Sequence, residues 1–309
     1  MENKVIIGTF FALCAALQNA SIGIISLLLI NSGLESEQIA FLKTLVAYLF
    51  VVLLLIKTPN IIEKNHINNA KSKNKLFIEV AICSFLGIFI LFFFETIAYS
   101  YGSPPNVVII LMASATISAL FFCALILKEK ISISSIIGAI LAIIGIFIIS
   151  WKGSTSSLLL LNASFAGIGY GLFSVLIKKF KLTGGIYLTK YLLMFGTVYL
   201  FFPFIVKFNF NYKIDINILL GIVFLALFPT ILGFYCTTKA LKYMSPGKVQ
   251  VTELSEPIFS TLLTIIIFNS MPNNSFYIGT LFIILGIVLI NELFKNLYFK
   301  IIKRTYKKH

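Results

Sequence analysis

Charge is scarce in this chain: of 309 residues only 12% are Asp, Glu, Lys or Arg, and only 11 are acidic. Soluble domains carry about 25%, so a surface solvated on all sides is excluded. Histidine occurs twice, as His66 in a polar stretch and as the terminal His309. No histidine therefore falls within an apolar run, and His-based metal sites or catalytic triads at membrane depth are excluded. The four cysteines, Cys14, Cys83, Cys123 and Cys236, stand singly inside apolar runs. Without paired spacing they suggest neither a disulfide framework nor a metal site. Tryptophan is limited to Trp151 at the end of an apolar run, where it reads as an interfacial anchor rather than as the wall of a quaternary-ammonium cage.

What the chain does have is hydrocarbon: 59% hydrophobic residues and a mean hydropathy of +1.00. Apolar runs of about 20 residues recur, the length a helix needs to cross a bilayer. The stretch "IIGAILAIIGIFIIS" at 136–150 is continuously apolar, whereas the strands of a transmembrane barrel alternate. An all-α integral membrane protein is expected, with spans at 5–30, 38–56, 77–100, 105–127, 131–151, 156–177, 185–206, 218–240, 246–268 and 275–294. The first run is too long for a removed signal peptide and lacks a small-residue cleavage site after it.

The net charge of +14 does not point to nucleic acid, because the lysines cluster between apolar runs instead of lining one amphipathic face. Placing the N-terminus in the cytoplasm puts Lys4, the five lysines of 57–75, Lys128, Lys130, Lys178, Lys179, Lys181, Lys242, Lys248 and the basic tail 295–309 inside. Only Lys152, Lys207 and Lys213 face outward. That asymmetry predicts a multi-pass protein of the plasma (cytoplasmic, inner) membrane with both termini cytoplasmic.

An internal repeat organises the spans. "AYSYGSPPNVVIILMASATISALFF" (98–122) aligns at fixed offset with "ALKYMSPGKVQVTELSEPIFSTLLT" (240–264), sharing Ala, Tyr, Ser-Pro and Ser. After a one-residue gap, Gly138 and Gly145 fall on Gly279 and Gly286. Residues 1–152 and 153–294 are thus expected to be two five-helix repeats. An odd number of spans inverts the second copy, as in secondary transporters whose site lies between repeats near the midplane. With these motifs, followed by "GAILAIIGIFIIS" and "GTLFIILGIVLIN", nearly the whole chain resembles the drug/metabolite transporter superfamily, in particular its EamA-type members with two repeats of five helices. The resemblance implies a transporter without naming its solute.

The candidate site residues are polar groups placed in otherwise apolar runs. Glu256 lies ten residues into the ninth span, about 15 Å deep at the helical rise, which is near the midplane. Glu253 lies one turn nearer the cytoplasm on a neighbouring face. Carboxylates at that depth face a wet cavity, pair with a cation or hold a proton, so both are candidates for the coupling proton or for a solute ammonium. Pro257 removes a backbone donor and frees the Glu253 carbonyl, a place for gating; Gln250 and Thr252 continue the polar side of this helix. Lys43 and Lys190 sit at matching places in the second and seventh spans, which the inversion puts near opposite membrane faces, either to receive a solute anion at the outer and inner mouths or to snorkel to nearby interfaces. Glu95 shares the outer half with Lys43 and can pair with it.

By the resemblance, "FFFETIAY" (92–99) and its counterpart "FYCTTKAL" (234–241) line a central cavity. That places Phe92 and Phe93 opposite Phe234 and Tyr235, and Glu95 opposite Thr237. Asn19, Gln18, Tyr170, Thr237 and Thr238 are uncharged polar candidates. The glycines of 162–174 suit close helix packing. No cofactor or metal is expected. The expected partners are a small-molecule solute, the lipid bilayer and a coupling proton, in a monomer or homodimer. Buried charges of both signs favour a zwitterion, an amino acid or derivative, with S-adenosylmethionine within the class; the second expectation is an organophosphate or nucleotide-conjugate exchanger using Lys43 and Lys190. An intramembrane enzyme lacks its nucleophile and metal ligands, and a channel lacks a filter.

Overall fold

The structure, a computed structural model, describes residues 2–57, 73–150, 156–182, 185–207, 215–268 and 274–291. The basic tail, most of the lysine run 57–75, both histidines, Trp151, Lys152 and Lys213 lie outside the described residues. Every described element is helical. They are α1 (Glu2–Asn19), α2 (Ile22–Asn31), α3 (Ser36–Lys57), α4 (Lys73–Ser84), α5 (Leu91–Ser100), α6 (Pro104–Ile126) and α7 (Ile133–Ser150). Then follow α8 (Ser157–Lys179), α9 (Ile186–Val206), α10 (Ile216–Leu225), α11 (Phe234–Tyr243), α12 (Pro246–Glu253), α13 (Glu256–Phe268) and α14 (Asn274–Ile290).

Seven helical stretches among the described residues are long and apolar enough to span a bilayer, including the composite stretches Lys4–Asn31, Asn74–Ser100 and Ile216–Tyr243. The expected spans at 131–151 and 275–294 appear as shorter apolar helices, Ile133–Ile149 and Asn274–Ile290. The expected ninth span, 246–268, is not one helix: it breaks at Leu254 and Ser255 into α12 and α13. Pro257 has no N–H to donate back to the Glu253 carbonyl. The chain tightens before it, Leu254 N–H reaching Val251 and Gln250 carbonyls while Ser255 N–H and Oγ both donate to the Thr252 carbonyl. Pro257 consequently falls in the first turn of a new helix, where a missing N–H costs least.

Starts of other helices follow the same chemistry. Ser103 and Ser245 are extended and each precedes a proline in the first turn of α6 or α12. Ser156 Oγ caps α8 by accepting from Leu159 N–H, and Asp215 accepts from Ile216 N–H at α10. Two interruptions are wider rather than tighter: π-helical segments at Phe85–Ile90 join α4 to α5, and at Ala226–Gly233 join α10 to α11. Each adds residues per turn and rotates everything beyond it.

Packing is closest where side chains are absent. α7 and α14 cross antiparallel through Gly138, Gly145, Gly279 and Gly286; a Cβ on Gly145 would stand 2.6 Å from the Gly279 carbonyl oxygen, and one on Gly138 2.8 Å from that of Gly286. α8 packs on α6 in the same manner, Gly167 against the Leu111 carbonyl and Gly171 against that of Ala115. Backbone-to-backbone contact of this kind is how helices associate where lipid offers no hydrophobic drive. Other close pairs are α3 with α9, α1 with α11, and α5 with α8. Large side chains such as Phe202, Val206 and Ile133 stay exposed on the outer faces, as a hydrocarbon solvent permits.

Candidate functional site

At the centre of the bundle, α1, α2, α3, α5, α6, α8, α11 and α13, with the second π-helical segment, enclose a cavity of about 30 Å³. That is room for one or two waters; a metabolite requires the walls to part. Its charged lining is Lys43, Glu95 and Glu256, its aromatic lining Phe92, Phe234 and Tyr170. Asn19, Thr230 and Thr237 add polar groups.

Lys43 does not snorkel. Its side chain, only 2% exposed, turns inward, with Nζ 3.9 Å from Glu95 Oε2 and 4.1 Å from the centroid of the Phe92 ring. The ammonium thus has a carboxylate and a π-face for company in a dry interior, where both count for more than in water. Glu95 also accepts a long hydrogen bond, 3.4 Å, from Tyr99 Oη. Phe92 meets Phe234 edge-on, centroids 5.4 Å apart, and Phe173 stands 5.6 Å from Phe234 behind it.

Glu256, 7% exposed, opens α13 and faces the cavity from the other side. Neither a hydrogen bond nor an ion pair holds it among the described residues; it shares the cavity wall with Lys43 and Glu95. Glu253, wholly buried, sits just behind the wall. Its two carboxyl oxygens lie within hydrogen-bond distance of Tyr170 Oη, at 2.7 Å, and of Thr237 Oγ1, at 2.8 Å, both cavity-lining hydroxyls. The break at Ser255 permits this: it separates two carboxylates that a continuous helix would stack one turn apart.

The remaining candidates are elsewhere. Lys190 is partly exposed over the ring of Tyr191, at 5.2 Å, and does not join the cavity; it is not a partner of Lys43. Phe93 packs on Phe89 and Phe94 instead. Tyr235 faces Phe11 and Lys239. Gln250 donates to Ser174 Oγ, and Thr252 accepts from Asn291, so both belong to the α12 packing rather than to the wall. Thr238 turns back to the Phe234 carbonyl. Phe93 and Tyr235 each stand one residue, about 100° around the helix, from the cavity-lining Phe92 and Phe234, and so face away. Thr230 and Pro229 on the wall were not singled out from the sequence. A proline and a threonine inside an apolar span were the signal for them.

The two ends of the bundle are closed differently. At one, Lys178 Nζ donates to the Leu241 and Met244 carbonyls at 2.8 and 2.9 Å, tying α8 to the end of α11. At the other, Lys207 Nζ donates to Glu37 Oε1 at 2.8 Å, a bond that holds the lysine's pKa above its ordinary value. Ser36 and Ser100 hydroxyls meet there at 2.6 Å.

Comparison with known proteins agrees with the architecture. A solved chain described only as a crystal structure of a protein superposes with a TM-score of 0.72 at 15% identity, over 93% of this chain and 98% of its own length. An uncharacterized transporter of Clostridium kluyveri is 25% identical over 220 residues, covering 68% of this chain and 70% of the relative. The uncharacterized transporter YyaM of Bacillus subtilis is 25% identical over 253 residues, covering 77% and 78%. The EamA-like transporter family matches twice, over residues 6–151 and 156–292. A membrane-embedded helical bundle with buried charges around a central void, matched across nearly its whole length, belongs to the EamA-like transporter family.

Proposed function

We propose that the protein is a secondary active transporter that moves a zwitterionic solute, an amino acid or amino-acid derivative, by alternating access between two inverted five-helix repeats. The observation that carries the solute class is the cavity, where a cation and two carboxylates from α3, α5 and α13 converge beside two aromatic rings. A solute's carboxylate is placed on Lys43 and its ammonium on the unpartnered Glu256, with Phe92 and Phe234 beneath an apolar or aromatic body. One cation against two carboxylates leaves the lining net negative. A neutral zwitterion therefore needs an accompanying proton, whereas a solute with one extra positive charge, such as S-adenosylmethionine, needs none. The organophosphate alternative has less support in the cavity, whose described lining has Lys43 as its one lysine, already 3.9 Å from Glu95.

The contacts support two-fold symmetry. Corresponding spans meet as α3 with α9, α6 with α12 and α7 with α14, while α1 with α11 is answered by α8 with α5. Gly138 meets Gly286 as Gly145 meets Gly279, the reciprocal pattern of a two-fold contact. Phe92 follows the first π-helical segment after one intervening residue, Leu91, and Phe234 follows the second directly. The lysine distribution favours both termini in the cytoplasm and residence in the plasma membrane.

The test is counterflow in proteoliposomes, with labelled neutral amino acids, basic amino acids, S-adenosylmethionine and sugar phosphates compared at pH 5.5 and 8. Saturable exchange of an ammonium-bearing solute is expected. Exchange confined to sugar phosphates would overturn the assignment.

A further inference from the structure

Glu253, Tyr170 and Thr237 close a triangle of oxygens. Tyr170 Oη is 2.7 Å from Glu253 Oε2, Thr237 Oγ1 is 2.8 Å from Glu253 Oε1, and the two hydroxyl oxygens are 3.1 Å apart. If Glu253 is ionised, only two hydrogens, one from each hydroxyl, serve three contacts. Both must point at the carboxylate, and the hydroxyl oxygens then face each other with nothing between them. If Glu253 carries a proton, three hydrogens serve three contacts and the ring closes: Glu253 donates to Tyr170, Tyr170 to Thr237, and Thr237 back to the Glu253 carbonyl oxygen.

The surroundings agree with the proton count. Glu253 is 0% exposed, and no cation stands within ion-pair distance of it among the described residues. The titratable groups around it are Tyr170 from α8, Cys236 from α11 with Cys14 of α1 beside it, and Glu256 from α13. Lys178 of α8 is committed to the Leu241 and Met244 carbonyls, and Cys123 of α6 lies by Gly247, about 9 Å along α12 by the helical rise. An ionised carboxylate so enclosed, without a counter-ion, is costly.

We propose that Glu253 is a dedicated proton-binding site, loaded in this closed form and separate from the solute seat at Lys43, Glu95 and Glu256. The proposal deepens the transporter reading by dividing labour between the two glutamates: Glu253 takes the proton, Glu256 the solute's ammonium. Loss of the proton removes the hydrogen from the Tyr170–Thr237 contact. Those residues belong to α8 and α11 and both line the cavity, so proton release is felt directly in the wall.

Glutamine offers the test, because its amide N–H replaces the acid O–H and its carbonyl still accepts, reproducing the closed ring in permanent form. Detergent-purified wild type and Glu253→Gln are compared in two ways without any solute. In the infrared difference spectrum at neutral pH, the wild type shows a carboxylic-acid C=O band that the variant lacks. In melting curves, wild-type Tm falls as pH rises through the ring's deprotonation, while the variant's slope is flatter; the slope is read, since a second amide hydrogen shifts the offset. Tyr170→Phe keeps the carboxyl but opens the ring, and its acid band moves toward that of an unbonded carboxylic acid. Equal slopes, or no Glu253-dependent acid band at neutral pH, would overturn the proposal. Either result stands apart from transport, which counterflow tests separately.

Discussion

Lys43 and Glu95 face each other across the cavity at 3.9 Å, with the Phe92 ring 4.1 Å from the ammonium. Removing one member strands the other in a dry interior. Lys43→Met is expected to lower stability by about 3–5 kcal/mol, because it leaves the Glu95 carboxylate buried without its partner. Adding Glu95→Gln should recover most of the loss. Thermal unfolding of the two single variants and the double variant in one detergent supplies the cycle.

Glu256 behaves oppositely, because nothing in the described protein pairs with it. Glu256→Gln is expected to keep or raise Tm, since a buried carboxyl group without a partner among the described residues gives way to a neutral group of the same size, yet to abolish binding of ammonium-bearing solutes. Melting curves with and without solute separate the two effects, because a bound solute raises Tm only where it binds the native state.

The glycine crossing of α7 and α14 tolerates no Cβ. Gly145→Val presses on the Gly279 carbonyl, and the matching Gly279→Val presses on that of Gly145, so each should cost about 1–3 kcal/mol and broaden the size-exclusion peak. Gly185, with open space where a Cβ would stand, serves as the neutral control when changed to Ala.

The two end closures should differ in strength. Lys178→Met loses two charge-assisted bonds to carbonyls left bare at the end of α11, at a cost of about 1.5–3 kcal/mol each before relaxation. Lys207→Ala loses one bond from a mostly exposed ammonium to the buried Glu37 carboxylate, which should cost about 1–2 kcal/mol, less than Lys178→Met, and less again at high salt. Denaturation midpoints at low and high ionic strength distinguish them.

Charges in apolar runs were legible from composition alone, since each is expensive at membrane depth and demands a reason. Hence Lys43, Glu95 and Glu256 were candidates before any coordinates, and they converge. The facing of individual side chains was not legible. Counting 3.6 residues per turn carries faces correctly only along an unbroken helix, and the π-helical segments before Phe92 and Phe234 reset the count. Phe92 and Phe234 line the cavity, while the next residues, Phe93 and Tyr235, about 100° around the helix, point away. The break at Ser255 was half visible: Pro257 announced a weakness, but only the Ser255 hydroxyl bond to the Thr252 carbonyl shows where the first helix stops. Lys190 matched Lys43 in sequence without sharing its burial, because burial depends on each lysine's own neighbours, which a sequence match does not specify.

The most direct measurement is counterflow of a labelled ammonium-bearing solute by wild type, Lys43→Met and Glu256→Gln in matched proteoliposomes. Saturable exchange by the wild type, lost in both variants while Glu256→Gln keeps its fold, is the predicted result. Undiminished exchange in either variant would contradict a solute seat built from Lys43, Glu95 and Glu256.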